Sequence, residues 1–249
     1  MSFPAIFAFL VARVPDLRAQ VRGATSGDIE RLAELSPRPL PRAYVEFLRA
    51  MGGSTGSFSA LPVADCRAAE LWPHLLSTPP SYPTDRFLKV GIDLGIGRDI
   101  REDWFLDLQR GDPDDPPVVS FEDEGDPDAF REARAHVVAR SWTGMLQRHA
   151  FLFAAAGRRS FRREEVFDPV DPRRIDAAAA ICARLGLTPV MPSQPGLHTL
   201  ERADLSVMLE VPPDMERLEI EVGADSPRAV QLFLEVMRDN LDDVAAGGA

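Results

Sequence analysis

Residues 87–121 read FLKVGIDLGIGRDIREDWFLDLQRGDPDDPPVVSF, and the alternation of apolar runs with turn residues in this stretch decides the fold class. The apolar runs are short and rich in aromatic and β-branched side chains, and they fall at residues 87–90, 104–108 and 118–121. Such runs, bounded by Gly, Pro and Asp, indicate β-strands. We therefore predict three strands, the first ending at Gly91 and the last two joined by a turn over residues 110–117.

Helices are predicted on both sides of these strands. The apolar run at residues 3–12 predicts a buried amphipathic helix over residues 4–14. The run is too short to span a bilayer, and it lacks the charged start and the cleavage site of a signal peptide. Further helices are predicted to begin at Ser26 as the N-cap, at Leu40-Pro41 and at Ser141 as the N-cap. A short strand is possible just before Ser141, at residues 136–140.

The second half of the chain predicts a separate small domain. Residues 157–170 are polar, with four arginines between 158 and 163, and they predict a linker. Beyond it, apolar spacing predicts a helix from Asp171-Pro172, strands at about 196–201, 204–211 and 217–223, and a last helix from Ser226-Pro227. The expected organisation is an α+β protein with a mixed helix and antiparallel-sheet domain at 1–156, a linker at 157–170 and a small α-β-β-β-α sandwich of unknown role at 171–249.

Composition and charge restrict the class of partner. The chain has 249 residues, 45% of them hydrophobic, which is enough to form a packed core rather than a disordered chain. Its net charge of −11 argues against nucleic-acid binding, which requires a basic face. The two cysteines, Cys66 and Cys182, are far apart and form no disulfide framework, so a reducing cytoplasm is expected. No segment reaches transmembrane length, and no membrane association is expected.

Five sequence motifs occur in an order that resembles the SUKH superfamily, the group that includes the yeast cell-wall-assembly regulator of Smi/Knr type. They are LPxxYxxFL at residues 40–48 with Gly52-Gly53, FLxVGxDxGxG at 87–97, WFLDL at 104–108, VVSFEDE at 118–124 and SWxxML at 141–146. The resemblance covers about residues 25–150 and implies a SUKH-like fold for the first domain.

The resemblance also implies a function class. Bacterial members of this superfamily are mostly immunity proteins that neutralise toxins, often nucleases or deaminases, and eukaryotic members are regulatory or scaffold proteins. We therefore expect a cytoplasmic immunity-type binding protein that blocks a toxin domain by steric and electrostatic occlusion, and not an enzyme. The alternative is a regulatory or scaffold module that binds a cellular protein.

An acidic segment is the strongest charge feature of the sequence. Residues 99–132 contain 13 acids and three arginines, a local charge of −10. Three interpretations stay open: a solvated rim, a docking face for a basic toxin domain, or a calcium site at residues 122–128 that lacks the EF-hand pattern. The candidate partner-binding residues are Asp112, Asp114, Asp115, Glu122, Asp123, Glu124 and Asp126, with Trp72, predicted in a proline-rich loop, as a possible interface anchor.

No cofactor or metal is expected from the remaining motifs. Gly95-Ile96-Gly97 has Ile100 in the place of the third glycine of a dinucleotide-binding loop, so a tight turn is the better interpretation. The histidines, His74, His136, His149 and His198, are not at metal-ligand spacing. A Ser-His-Asp arrangement stays open because such triads form in space, although no GxSxG motif is present.

Overall fold

The computed structural model of this chain describes residues 3–61, 64–77, 80, 82–93, 103–121, 130–132, 135–167 and 174–246, with side chains up to Leu241. The described residues form α-helices and antiparallel sheets, which confirms the α+β class. They divide into two compact units, residues 2–149 and residues 150–249. The division falls a few residues before the boundary expected from the sequence.

The first unit begins with five helices. They are α1 (Phe3–Arg13), α2 (Leu17–Gln20), α3 (Ser26–Leu35), α4 (Arg42–Met51) and α5 (Ala68–Ser77). Two short strands, β1 (Val21–Arg22) and β2 (Ser54–Thr55), form a separate antiparallel pair. The N-cap of α3 is Thr25 rather than the predicted Ser26, because the Thr25 hydroxyl accepts the backbone N–H of Asp28.

The main sheet of this unit is an antiparallel meander in chain order. Its strands are β3 (Ala64–Asp65), β4 (Phe87–Asp93), β5 (Asp103–Asp107), β6 (Val118–Phe121) and β7 (His136–Ala139). Strand β4 does not end at Gly91 as predicted. Its pairing with β5 shifts register between Lys89 and Gly91, and the strand then continues to Asp93.

Aromatic side chains form much of the core of this unit. On the sheet, the rings of Phe105 and Phe121 stack with centroids 3.9 Å apart. On the helices, the ring of Trp142 at the start of α6 (Trp142–Ala154) lies edge-on to Tyr44 at 5.3 Å and to Phe47 at 5.2 Å. The residues of the first and last SUKH-like motifs are therefore in direct contact in the core.

The second unit contains the two predicted helices, the three predicted strands and two further strands, while the predicted start of the first helix, Asp171-Pro172, lies outside the described residues. After a 3-10 turn (Ala156–Arg158), the elements are β8 (Phe161–Phe167), α7 (Arg174–Arg184), β9 (Thr188–Pro189), β10 (Leu197–Arg202), β11 (Leu205–Glu210), β12 (Leu218–Ala224) and α8 (Pro227–Ala246). The antiparallel sheet has the order β8-β12-β11-β10-β9. One apolar cluster joins α7 and α8 to the side chains of Leu205, Val207 and Leu209 in the central strand.

Two sequence predictions are corrected by these elements. The stretch expected to be a linker contains β8, which pairs with β12 along seven residues, so the linker interpretation is wrong for Phe161–Phe167. Trp72 does not lie in a loop, because it belongs to α5, which continues through Pro73.

Candidate functional site

The acidic turn, residues 111–117, connects β5 to β6 and carries three of the predicted partner-binding residues. Gly111 starts it with φ of 68°, a conformation that favours glycine. The Asp112 carboxylate accepts the backbone N–H of Asp114 at 2.9 Å, and the Asp112 carbonyl accepts the N–H of Asp115 at 3.0 Å. Side-chain-to-backbone bonds of this kind stabilise tight turns. The backbone of the acidic turn is therefore fixed locally.

The acidic turn is also held by the N-termini of two helices. The Asp114 carbonyl accepts the N–H of Ala43 in α4 at 2.9 Å, and the Pro116 carbonyl accepts the N–H of Trp142 in α6 at 3.0 Å. The first N–H groups of a helix have no partner within the helix, so these bonds satisfy groups that need an acceptor. The positive ends of both helices thus lie beside the acidic turn, where they stabilise negative charge.

Asp115 caps α6. Its carboxylate accepts the backbone N–H of Thr143 at 2.9 Å and also the Thr143 hydroxyl. Burial of the side chain raises the pKa of Asp115. Ser141 caps the same helix as predicted, because its hydroxyl accepts the N–H of Gly144 at 3.0 Å. Asp115 is therefore committed to the structure of the helix start and is poorly placed to bind a partner.

Asp112 and Asp114 are the exposed members of the acidic turn. The side chain of Asp114 is 60% exposed and lies 3.8 Å from the guanidinium of Arg42, which is 70% exposed. Exposed pairs of this kind contribute little to stability. These two carboxylates are thus available to a partner. The other predicted acids, Glu122, Asp123, Glu124 and Asp126, lie outside the described residues.

Two acids of the same segment, Asp107 and Glu132, pair with Arg86, which lies outside the segment. Asp107 is fully buried, and its carboxylate accepts a forked hydrogen bond from Arg86 Nε–H and one more from Arg86 Nη2, at 2.7 to 3.1 Å. These bonds raise the pKa of Arg86. Glu132 is 2.9 Å from the same guanidinium and 3.1 Å from that of Arg110. The local charge of −10 counted from the sequence therefore overstates the field at the surface.

A buried ion pair on the sheet was missed by sequence reasoning. Lys89, the one lysine among 28 basic residues, is 2% exposed and lies 2.6 Å from Asp103 Oδ2. Its ammonium is also 3.3 Å from His74 Nε2, at a small cleft of about 80 Å³. The second Asp103 oxygen accepts the backbone N–H of Asp93. The sequence signal for this ion pair was a single lysine between two apolar residues of a predicted strand.

Trp72, the predicted interface anchor, makes contacts within the first unit. Its indole N–H donates to Asp28 Oδ1 at 3.0 Å, and the Arg31 guanidinium lies 4.3 Å from its ring. The Thr25 hydroxyl and the Trp72 indole both lower the pKa of Asp28 through hydrogen bonds. The half-buried Trp72 therefore links α5 to α3, and its polar atom already has a partner.

Two histidines bear on the question of catalysis. His198 Nδ1 is 2.8 Å from the Ser193 hydroxyl, but its Nε2 is 4.0 Å from Asp176, whose side chain is 83% exposed. That distance exceeds a hydrogen bond, so Asp176 does not orient the imidazole as a catalytic triad requires. His149 is buried, and its Nδ1–H donates to the Ala60 carbonyl at 2.8 Å. Burial lowers the pKa of His149 to about 4.

Comparison of this chain with known proteins does not assign it to a family. Neither the protein-family models nor the curated proteins give a match to this chain. Within the described residues, no group of three or more His, Cys, Asp or Glu side chains could hold a metal ion. No helix in the same residues has the length and hydropathy to cross a membrane. Fold and site together define an α+β protein with an exposed acidic turn whose backbone is hydrogen-bonded to α4 and α6.

Proposed function

We propose that this chain is an immunity-type binding protein that occludes a basic toxin domain, with the acidic turn as part of the docking face. One observation carries the proposal. Asp112 and Asp114 are exposed on a turn whose backbone is fixed by α4 and α6. A preorganised charged surface loses little conformational entropy on binding and steers an oppositely charged partner towards the complex.

The resemblance to the SUKH superfamily supports the same proposal. Its motifs at residues 40–48 and 141–146 fall on α4 and α6, and the motif residues Tyr44, Phe47 and Trp142 pack against one another. The same two helices hold the acidic turn. The proposed docking face is thus built on the elements that carry the resemblance.

Co-expression tests the proposed function directly. The candidate partners are toxin domains encoded by neighbouring genes, each produced in a cell that it kills. We expect this chain to restore growth and to form a stoichiometric complex with the toxin domain in size-exclusion chromatography. Absence of both rescue and complex would refute the immunity function, and a stable complex with a cellular protein instead would favour the regulatory or scaffold role.

Association kinetics test the docking face separately. Asp112→Asn with Asp114→Asn should lower the association rate severalfold and change the dissociation rate much less, because exposed charges act mainly on the encounter. The difference should shrink as salt rises, since the screening length is about 8 Å at physiological ionic strength. The matched control is Asp214→Asn with Glu216→Gln, two exposed acids at the same spacing in the second unit. Equal effects of the two pairs would exclude the acidic turn as the docking face.

A further inference from the structure

Helix α5 meets the main sheet of the first unit through a contact between two basic side chains. The Lys89 ammonium on β4 lies 3.3 Å from Nε2 of His74 in α5. Lys89 is 2% exposed, whereas His74 is half-buried at a cleft of about 80 Å³ that Tyr82 and Thr84 also line. Two cations at hydrogen-bond distance repel each other, so one of the two groups must be uncharged in this arrangement.

The Asp103 carboxylate indicates which of the two groups carries the charge. Its Oδ2 lies 2.6 Å from Lys89 Nζ, which makes a charge-assisted hydrogen bond from an ammonium to a carboxylate. An ammonium has three donors and no acceptor, so Lys89 donates to His74 and Nε2 of the imidazole accepts. His74 is therefore neutral in this contact, with its proton on Nδ1.

Protonation of His74 is incompatible with this contact. Nε2 would then carry a hydrogen of its own and face an ammonium that has no lone pair to accept it. Both oxygens of Asp103 are already engaged, because Oδ2 accepts from Lys89 and Oδ1 accepts the backbone N–H of Asp93 at 2.8 Å. Imidazole is the side chain that ordinarily changes charge between pH 5 and pH 8, so mild acid acts on this contact through His74.

The charged and titratable groups around this contact come from several elements, and each has a contact of its own. They are Glu70 of α5 with Arg67, Asp28 and Arg31 of α3 with Trp72, Tyr82 before β4 with Lys89, and Asp93 of β4 with Asp103. Carboxylates, phenols and guanidinium groups ordinarily keep their charge between pH 5 and pH 8. Of the described groups at this contact, His74 is therefore the one expected to change charge in that range.

We propose that the His74–Lys89 contact is an acid-sensitive switch that holds α5 on the main sheet of the first unit. At neutral pH, the neutral imidazole accepts the Lys89 hydrogen bond. As the pH falls, His74 takes up a proton, the two cations separate, and the end of α5 with Leu76, which is 65% exposed, moves away from β4. The switch does not involve the acidic turn and is independent of the proposed toxin-binding function.

Lys89 provides a direct probe of this switch because it is the one lysine of the chain. A chain produced with 13C-labelled lysine gives one set of lysine side-chain NMR signals. The Cε signal should shift in a single step between pH 8 and pH 5, with the same midpoint as the His74 imidazole signals. His74→Gln retains an acceptor for the ammonium but does not titrate, so it should abolish the step. The matched control is His136→Gln, a change at an exposed histidine of β7, and it should leave the step unchanged.

Hydrogen exchange measures the movement of α5. Between about pH 7.5 and about pH 5.5, and after correction for intrinsic exchange rates, the amides of residues 74–77 should lose at least about tenfold more protection in the wild-type chain than in His74→Gln. His136→Gln should behave like the wild type, and the acid sensitivity contributed by His149 is common to all three proteins.

Circular dichroism checks that His74→Gln is folded, and the shared midpoint of Lys89 and His74 tests the switch in the wild-type chain alone. A Lys89 signal that does not shift, or midpoints that differ, would overturn the proposal. A step that persists in His74→Gln, or equal loss of protection in all three proteins, would also overturn it.

Discussion

Asp107, the last residue of β5, and Asp114, in the acidic turn that follows, are seven residues apart, yet their environments are opposite. Asp107 is fully buried and held by the Arg86 guanidinium through three short hydrogen bonds. The side chain of Asp114 is 60% exposed, and its nearest cation is 3.8 Å away. The first carboxylate stabilises the fold, whereas the second faces solvent. Neighbouring acids in a sequence therefore do not form one functional surface.

The difference follows from where each acid meets the rest of the chain. Asp107 ends β5, and the loop before β4 brings Arg86 across to it. Asp114 lies at the outside of the acidic turn. Its carbonyl is hydrogen-bonded to α4, and its side chain extends into solvent. Four measurements test how buried and exposed groups of this chain differ, and they are given in order of decreasing expected change in stability.

Asp107→Ala should cause the largest loss. Removing one partner of a buried ion pair leaves the other charge without compensation, and the expected cost is about 3 to 5 kcal/mol of unfolding free energy. Urea denaturation of the variant measures it. Asp114→Ala is the control and should cost less than about 0.5 kcal/mol. Similar losses in the two variants would show that the buried and exposed acids do not differ as described.

Acid should destabilise the fold through His149, a buried group that must stay neutral. Its folded pKa of about 4 lies below the unfolded value of 6.5, so the unfolded chain binds the proton first. The stabilising effect is complete above the unfolded pKa and is lost as pH falls towards 4. Between about pH 7 and about pH 5 the loss should be about 2 kcal/mol.

His149→Gln removes this titration and provides the comparison. The pH-dependent part of the unfolding free energy should be smaller in the variant by about that amount, while the other titrating groups contribute equally to both proteins. Denaturation curves at the two pH values give the difference. Identical pH profiles would mean that His149 takes up its proton equally in both states.

Asp115→Ala should have an intermediate effect of about 1 kcal/mol, the usual cost of losing a helix N-cap. Asp115→Asn keeps an acceptor for the Thr143 N–H and should cost less. Chemical denaturation of the two variants ranks them. If Asp115→Ala matched Asp114→Ala instead, the capping role of Asp115 would be refuted.

The smallest effect on stability is expected for Asp112→Asn with Asp114→Asn. Solvated side chains contribute less than about 0.5 kcal/mol each, so the thermal midpoint should be almost unchanged. A clear drop in the thermal midpoint would show that the side chains of Asp112 and Asp114 stabilise the fold. Asp112→Asn keeps a side-chain oxygen that can accept the Asp114 N–H, so the turn bond should be retained.

The sequence predicted most elements of the fold and fewer of their roles. The apolar pattern placed β6 and α4 within one or two residues, because β6 is a short, fully buried run and α4 buries one apolar face. It missed β8, since Arg162, Arg163 and Glu164 face solvent at the sheet edge and read as a polar linker. It also placed Trp72 in a loop, since Pro73 is an unusual residue inside a helix.

The sequence predicted the candidate site less well than it predicted the fold. The acidic turn itself was found, because aspartate, glycine and proline mark such turns locally. The distinct role of Asp115 depends on Thr143, 28 residues later, and the neutralisation of Asp107 depends on Arg86, 21 residues earlier. Contacts at such separations leave no local signal, so a sum of charges along the chain could not reveal them.

The position of β8 at one edge of the second sheet has a consequence for aggregation. A sheet edge offers unpaired backbone groups to which strands of other molecules can add. Four consecutive charged side chains, residues 162–165, stand on β8, and the opposite edge is the two-residue β9, which ends in Pro189. Charge on a long edge and proline on a short one both oppose intermolecular strand pairing. The charged residues of the segment that resembled a linker thus disfavour the addition of another strand at this edge.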